Sequence, residues 1–407
     1  MTTLISVIGI SVLLLIGFVF SKFRSDINWR TIVGAFLLQF FIGAFALYLP
    51  FGKSVLEKLS NGVSGVLSYA QSGIGFLFGS LGTAEGVGFI FAFQVLPIII
   101  FFSSLVAVLY YLGIMGWVIR IIGGALQLLL GTSRAESLSA TANVFVSQTE
   151  APLVIKPFVA KMSNSELFAV MVGGMATVAG SVLAGYVALG VEMKYLLAAS
   201  FMAAPGGFLM AKLLLPETQE INNHEEILEQ EHDQYVNVID AAAGGASAGL
   251  QLAVNIGAML IAFVALIALL NGLLGWIGVM LGIPELSLQL ILGALFKPVA
   301  FLIGVPWQES GIAGSLIGQK LVLNEFVAFL DFQTQSALLS EHSKAVVTFA
   351  LCGFANFSSI AILLGGLATI APNRRSDVAK MGLRAVIAAF MSNLMSAAIA
   401  GFYLSLL

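Results

Sequence analysis

Residues 143–154 read "NVFVSQTEAPLV", setting Gln148, Thr149 and Glu150 side by side with Pro152 just behind. The rest of the chain makes this placement unusual. Of its 407 residues, 59% are hydrophobic and only 10% charged, and its mean hydropathy is +1.01. Soluble domains carry about 25% charged residues, so the surface itself must be apolar and its solvent is lipid. The runs 3–20, 32–49, 89–112, 252–274 and 385–407 approach or exceed the ~20 apolar residues of a bilayer-spanning helix. The alternating pattern of a membrane barrel is absent. The chain therefore reads as an all-α polytopic membrane protein.

Charge and cysteine usage narrow the partners. A net charge of −3 gives no footprint for nucleic acid. The single cysteine, Cys352, excludes an intrachain disulfide and reads as a small buried side chain. The apolar N-terminus lacks a basic lead and a small-residue cleavage pattern, so it reads as a retained helix. Lys22, Arg24 and Arg30 follow the first apolar run, and Arg374, Arg375, Lys380 and Arg384 precede the last. The positive-inside rule puts both loops in the cytoplasm and both termini outside. Residues 216–238 are acidic and polar and form a connector. Its His224 and His232 fit no compact metal-ligand spacing. His342 reads as a helix-end residue, and Asp240 as a helix cap.

Either side of this connector the chain follows one plan. A long apolar span (89–112, then 252–274) is followed by an interfacial piece (115–130, then 286–305). Next comes a segment too short and polar to span as one helix (133–161, then 309–342). An apolar helix follows (167–189, then 346–370), interrupted by "GGMATVAGSV", 173–182, and by "CGFANFSSI", 352–360. Paired, interrupted hydrophobic segments in corresponding positions point to a transporter binding site. Glu150 precedes the first break and Glu325, in "LVLNEFVAF", precedes the second. The expected organisation is N-terminal helices and a linker (1–82), a first repeat (83–215), the acidic linker (216–238) and an inverted second repeat (239–407).

This layout accounts for the opening motif. A lone charge at mid-bilayer costs about 2.5–3.5 kcal/mol, and non-helical backbone at that depth must line a cavity or be buried in protein. A hairpin turning at 145–149 brings Gln148, Thr149 and Glu150 to such a cavity, and a second brings Asn324 and Glu325. The breaks add Thr177, Ser181, Asn356, Ser358 and Ser359. Amides, hydroxyls and carboxylates suit a neutral polyhydroxyl molecule with amide-like edges. Lys156 and Lys161 lie a turn or more past the tip, so an anionic substrate is not expected. Ser181 and Ser358 also fit a plain packing role, as Phe354 and Phe357 fit core positions and Asn255 fits helix–helix contacts. Proteolysis would need a paired Asp, a Ser–His pair or a His-Glu-x-x-His helix, and none is present. A passive channel has no need of two unlike polar half-sites.

At these residues the chain resembles the concentrative nucleoside transporter family. "SLSATANVFVSQTEAPLVIKPF" resembles the family's first re-entrant hairpin, "LNEFVAF" its second, and "CGFANFSSI" its second broken helix. The linker-helix stretch "GLQLAVNIGAMLIAFVALI" is similar too, and the resemblance runs from about residue 82 to the C-terminus. It implies a homotrimer in the bacterial inner membrane, with eight transmembrane helices and two oppositely oriented hairpins per protomer. It further implies sodium-driven nucleoside import by alternating access. Gln148, Thr149, Glu150 and Val182 would hold the nucleobase, and Glu325, Asn356 and Ser359 the ribose, with Phe354 lining the pocket. Asn143, Val146, Thr177 and Val178 would hold the co-transported sodium ion, the valines through carbonyl oxygens; no organic cofactor is implied. Some bacterial members use protons instead, but their hairpin motif departs from this one. Ser147 stands where relatives often carry glycine, which leaves the purine–pyrimidine preference open.

Overall fold

The computed structural model describes residues 2–83, 88–219 and 235–407, and these are helical throughout with no strand among them. His224 and His232 lie outside the described residues. Among the described residues, seven helices are long and apolar enough to cross a membrane. The expected span at 89–112 is a short helix Phe91–Gln94 running into Leu96–Tyr111, where Pro97 suits a helix start. The expected span at 252–274 is longer than its apolar run, a single helix Val238–Leu281 of 44 residues. Its start differs in detail from expectation. Asn237 is the cap, accepting from the Asp240 N–H, and the Asp240 carboxylate reaches back to accept from the Val236 N–H. Residues 50–78, read as a linker, form two further helices, Pro50–Ser68 and Ala70–Phe78.

These helices sort into two environments. Val238–Leu281 packs along Leu96–Tyr111. Gly245 and Gly249 let the two backbones meet, since a Cβ on Gly249 would lie 2.8 Å from the Ile100 Cα. Only 22% of the apolar stretch of each of these helices is buried, against 94% for Asn164–Ala188 and 89% for Met193–Leu214. The second set forms a packed interior with Arg375–Leu404. Both hairpins and both broken helices belong to that interior.

The first hairpin begins at Ser133, whose hydroxyl accepts from the Glu136 N–H while Glu136 accepts from the Ser133 N–H. The helix Arg134–Ala142 ends at Asn143, and the chain returns through a tight helical turn at Ala151–Ile155 and Lys156–Val159. The second hairpin is Ser310–Val322 and Glu325–Gln335. Asn324 starts its returning helix by accepting from the Val327 N–H, which sets the Glu325 carboxylate at a helix N-terminus. The broken helices are Asn164–Ala176 with Gly180–Ala188, and Glu341–Leu351 with Ser358–Ile370. His342 sits in the first turn of the latter pair, 3.0 Å from the Gly304 carbonyl.

Candidate functional site

Both breaks are extended backbone bound to their surroundings. At the first, Thr177 leaves the helix at φ −100°, ψ 171°, and its hydroxyl turns back to donate to the Gly173 carbonyl at 2.9 Å. The breaks then bond to each other: the Phe354 N–H donates to the Thr177 carbonyl at 3.1 Å. Each break also holds a hairpin, the Gly180 N–H donating to Phe145 O and the Phe357 N–H to Leu321 O. Backbone freed from helical pairing is thus satisfied by protein rather than by lipid.

The first hairpin tip meets the second broken helix. Gln148 Nε2 donates to Ser359 Oγ at 3.4 Å, across 211 residues of sequence. Thr149 lies against Gly366, where an added Cβ would come within 3.1 Å of its methyl. Glu150 accepts from the Ser147 N–H at 3.0 Å, closing the turn on itself. Gln148 is buried and its carbonyl oxygen has no hydrogen-bond partner, whereas Glu150 is exposed on the protomer. The two acids therefore differ in setting, because Glu150 sits beyond the turn and Glu325 inside the packed interior.

On the other side, Asn356 Nδ2 donates to Glu325 Oε2 at 3.0 Å. Its carbonyl oxygen accepts from the Ser359 N–H at 3.0 Å and the Ser358 hydroxyl at 2.6 Å. Ser358 thereby bonds only within the start of its own helix, whereas Ser359, which donates to the Phe354 carbonyl at 2.5 Å and accepts from Gln148, is the link between the halves. Val182 is buried on the second segment of the first broken helix, and Phe354 is half-buried within the second break.

The four expected sodium positions gather where the first hairpin meets the first break. Asn143 is fully buried and neither of its amide atoms has a hydrogen-bond partner. A Cβ on Gly174 would lie 3.6 Å from its Oδ1, which puts the amide against the last turn before Thr177. Val146 follows within the tip and Val178 within the break, both buried. A buried amide with free oxygen lone pairs costs stability unless something completes it, and a hard cation suits such oxygens.

Other residues of this region escaped the sequence reading. Lys320 is fully buried, five positions before Glu325, so the second hairpin does carry a cation. It is not free for a ligand, because it donates to Ala350 O at 2.8 Å and Asn393 Oδ1 at 2.6 Å. A lone lysine in the apolar context "GQKLVL" was the available signal. Tyr186, whose ring packs 4.8 Å from that of Phe326, carried no polar neighbour in sequence to mark it.

The geometry just described has close counterparts. Residues 195–401 match the family described as "Na+ dependent nucleoside transporter C-terminus", 8–81 its N-terminal counterpart, and 92–193 "Nucleoside recognition". The nucleoside permease NupC of Helicobacter pylori is 52% identical, over 100% of this chain and 99% of its own. CNTnw in an inward-facing substrate-bound state is similar at a TM-score of 0.95 and 54% identity, over 100% of this chain and 99% of its own. A CNTnw variant in an outward-facing state is similar at 0.97 and 54% identity, with both chains covered in full. Two polar half-sites facing each other in a lipid-exposed helical chain, and relatives this similar along its whole length, lead to one conclusion: the chain belongs to the Na+ dependent nucleoside transporter family, and it is a transporter rather than an enzyme.

Proposed function

We propose that the chain imports nucleosides of the uridine type in symport with sodium, by alternating access, the substrate lying between the two hairpins and the two broken helices. The observation that carries this reading is the pairing of Gln148 with Ser359, which brings an amide-rich and a hydroxyl- and carboxylate-rich half-site to one place. Gln148, Thr149, Glu150 and Val182 take the base. Glu325, Asn356 and Ser359 take the ribose, with Phe354 lining the pocket. Sodium is cargo, held by Asn143, Thr177 and the Val146 and Val178 carbonyls; the unpartnered amide of Asn143 supports this assignment.

The residues 83–215 and 239–407 act as oppositely oriented repeats, with the N-terminal helices (1–82) and the acidic linker (216–238) standing outside them. The broken pair Glu341–Leu351 and Ser358–Ile370 counts as the eighth span. The assembly is a homotrimer in the bacterial inner membrane with both termini periplasmic. The exposed apolar side of Val238–Leu281 supports the trimer, and the basic residues around Lys22 and Arg375 support the orientation. Labelled uridine uptake into proteoliposomes tests the whole reading. Uptake is expected to depend on an inward sodium gradient and to stop when choline replaces sodium at fixed pH. Unchanged uptake in choline would overturn the sodium assignment, and no uptake of any nucleoside would overturn the substrate.

A further inference from the structure

Lys320 is buried at 0% exposure on the first helix of the second hairpin, and among the described residues no carboxylate lies within ion-pair distance of it. An unpaired buried ammonium is costly, so its surroundings must compensate. Its Nζ donates to the carbonyl of Ala350, in the last turn of Glu341–Leu351, and to Asn393 Oδ1, and it lies 5.8 Å from the centre of the Phe390 ring. The other side of the Asn393 amide donates to the Ala176 carbonyl at 2.7 Å, the last residue of Asn164–Ala176. The partners fix the orientation of that amide, since an ammonium can only donate and a carbonyl only accept. Gly353 makes room for the junction: a Cβ there would lie 2.3 Å from Asn393 Oδ1 and 2.7 Å from Ala176 O. One positive charge thus sits at the C-terminal, electronegative end of Glu341–Leu351 and reaches that of Asn164–Ala176 through the Asn393 amide.

The corresponding place in the first half is built from neutral groups. There the residue ending the first hairpin helix is Asn143, with an unpartnered amide set against the last turn of Asn164–Ala176. Hairpin helix end meets broken-helix end in both halves, with an incomplete oxygen set in one and a complete one in the other.

We propose that Lys320 is a built-in cation of the second half, a positioning residue that does covalently what an exchangeable sodium ion does in the first. Its charge holds the ends of the two broken helices together and thereby sets Asn356, Ser359 and Glu325 at the nucleoside. Only the first half then exchanges a cation during transport. The comparison with sodium rests on the reading under "Proposed function"; the role of the charge in joining the helix ends does not.

The test measures uridine affinity by calorimetry on purified protein over a range of sodium concentrations. Lys320→Met keeps the length and removes the charge, leaving Asn393 Oδ1 and Ala350 O unpaired. It is expected to weaken uridine by about tenfold or more, as follows if loosened helix ends leave Asn356, Ser359 and Glu325 correctly placed only about a tenth of the time. Lys320→Ala exposes the same oxygens to a small cation. Its affinity is expected to recover with millimolar ethylammonium or at raised sodium, with a steeper sodium dependence than the wild type. A purely packing role would move thermal stability and leave the sodium dependence alone. Wild-type affinity and sodium dependence in either variant would overturn the proposal. Should neither variant fold, the wild type decides: one labelled sodium carried per uridine agrees with it, and two overturn it. If wild-type binding ignores sodium, the sodium reading fails by itself, and Lys320→Met still decides whether the charge matters.

Discussion

Gln148 Nε2 and Ser359 Oγ lie 3.4 Å apart, one on the tip of the first hairpin and the other on the second broken helix. The contact is long for a hydrogen bond and leaves the Gln148 carbonyl oxygen without a partner. A donor held loosely and an acceptor held by nothing are groups that a ligand entering between the halves can take over.

Gln148→Ala removes both. If the amide reads the base edge, uridine affinity should fall by about tenfold, in line with ~1–3 kcal/mol for a buried group left unpaired. The loss should differ between uridine and adenosine, whose edges present different donors. Competition binding measures both, and an equal loss for every base would assign Gln148 to shaping the tip instead.

Asn143 and Thr177 make a separate prediction. Thr177 spends its hydroxyl proton on Gly173 O, which leaves its oxygen lone pairs available, and Asn143 spends neither amide atom. Asn143→Ala and Thr177→Ala should each raise the sodium concentration for half-maximal uridine uptake by several-fold, while uptake at saturating sodium falls less. A wild-type sodium dependence in both variants would remove these side chains from the ion's path.

Gly353 tests how tightly the breaks are joined. Its φ of +155° and the approach of Asn393 and Ala176 leave no space for a Cβ. Gly353→Ala should cost about 1–3 kcal/mol, as overpacking does, seen as a lower midpoint of thermal unfolding in detergent. Gly366→Ala should act locally, pressing on the Thr149 methyl at 3.1 Å and weakening nucleoside binding more than stability. Equal effects on both quantities from both variants would mean that the two glycines share one role.

What sequence revealed follows from where each signal resides. Apolar length and its interruptions are local, so the spans, both hairpins and both breaks were legible, as were the polar residues that lipid makes expensive. Element ends were not: Val238–Leu281 outruns its apolar core because the Asn237 cap starts it early and close packing at Gly245 against Leu96–Tyr111 holds a stretch that hydropathy does not mark. Residues 50–78 read as linker because their apolar positions are spaced for an interface rather than a span. Lys320 was missed for a different reason. Its meaning depends on Ala350 and Asn393, which lie 30 and 73 positions away, and no local pattern announces that meeting.

The ribose assignment gives the sharpest test. Glu325 is buried at a helix N-terminus and receives a hydrogen bond from Asn356, which leaves acceptor capacity on its carboxylate. An ionised carboxylate gains most from hydroxyl donors, and two neighbouring ribose hydroxyls supply them. Uracil, which lacks the sugar, should therefore compete very poorly with labelled uridine. 3′-Deoxyuridine should fall well behind uridine, because a site built around a hydroxyl rejects its absence strongly. Glu325→Gln keeps the shape and removes the charge, so it should weaken uridine while narrowing its lead over 3′-deoxyuridine. Asn356→Ala should weaken uridine as well, since it frees the carboxylate that the amide orients. If uracil competes as well as uridine in the wild type, Glu325 does not bind the sugar, and its burial must be explained by the helix ends around it.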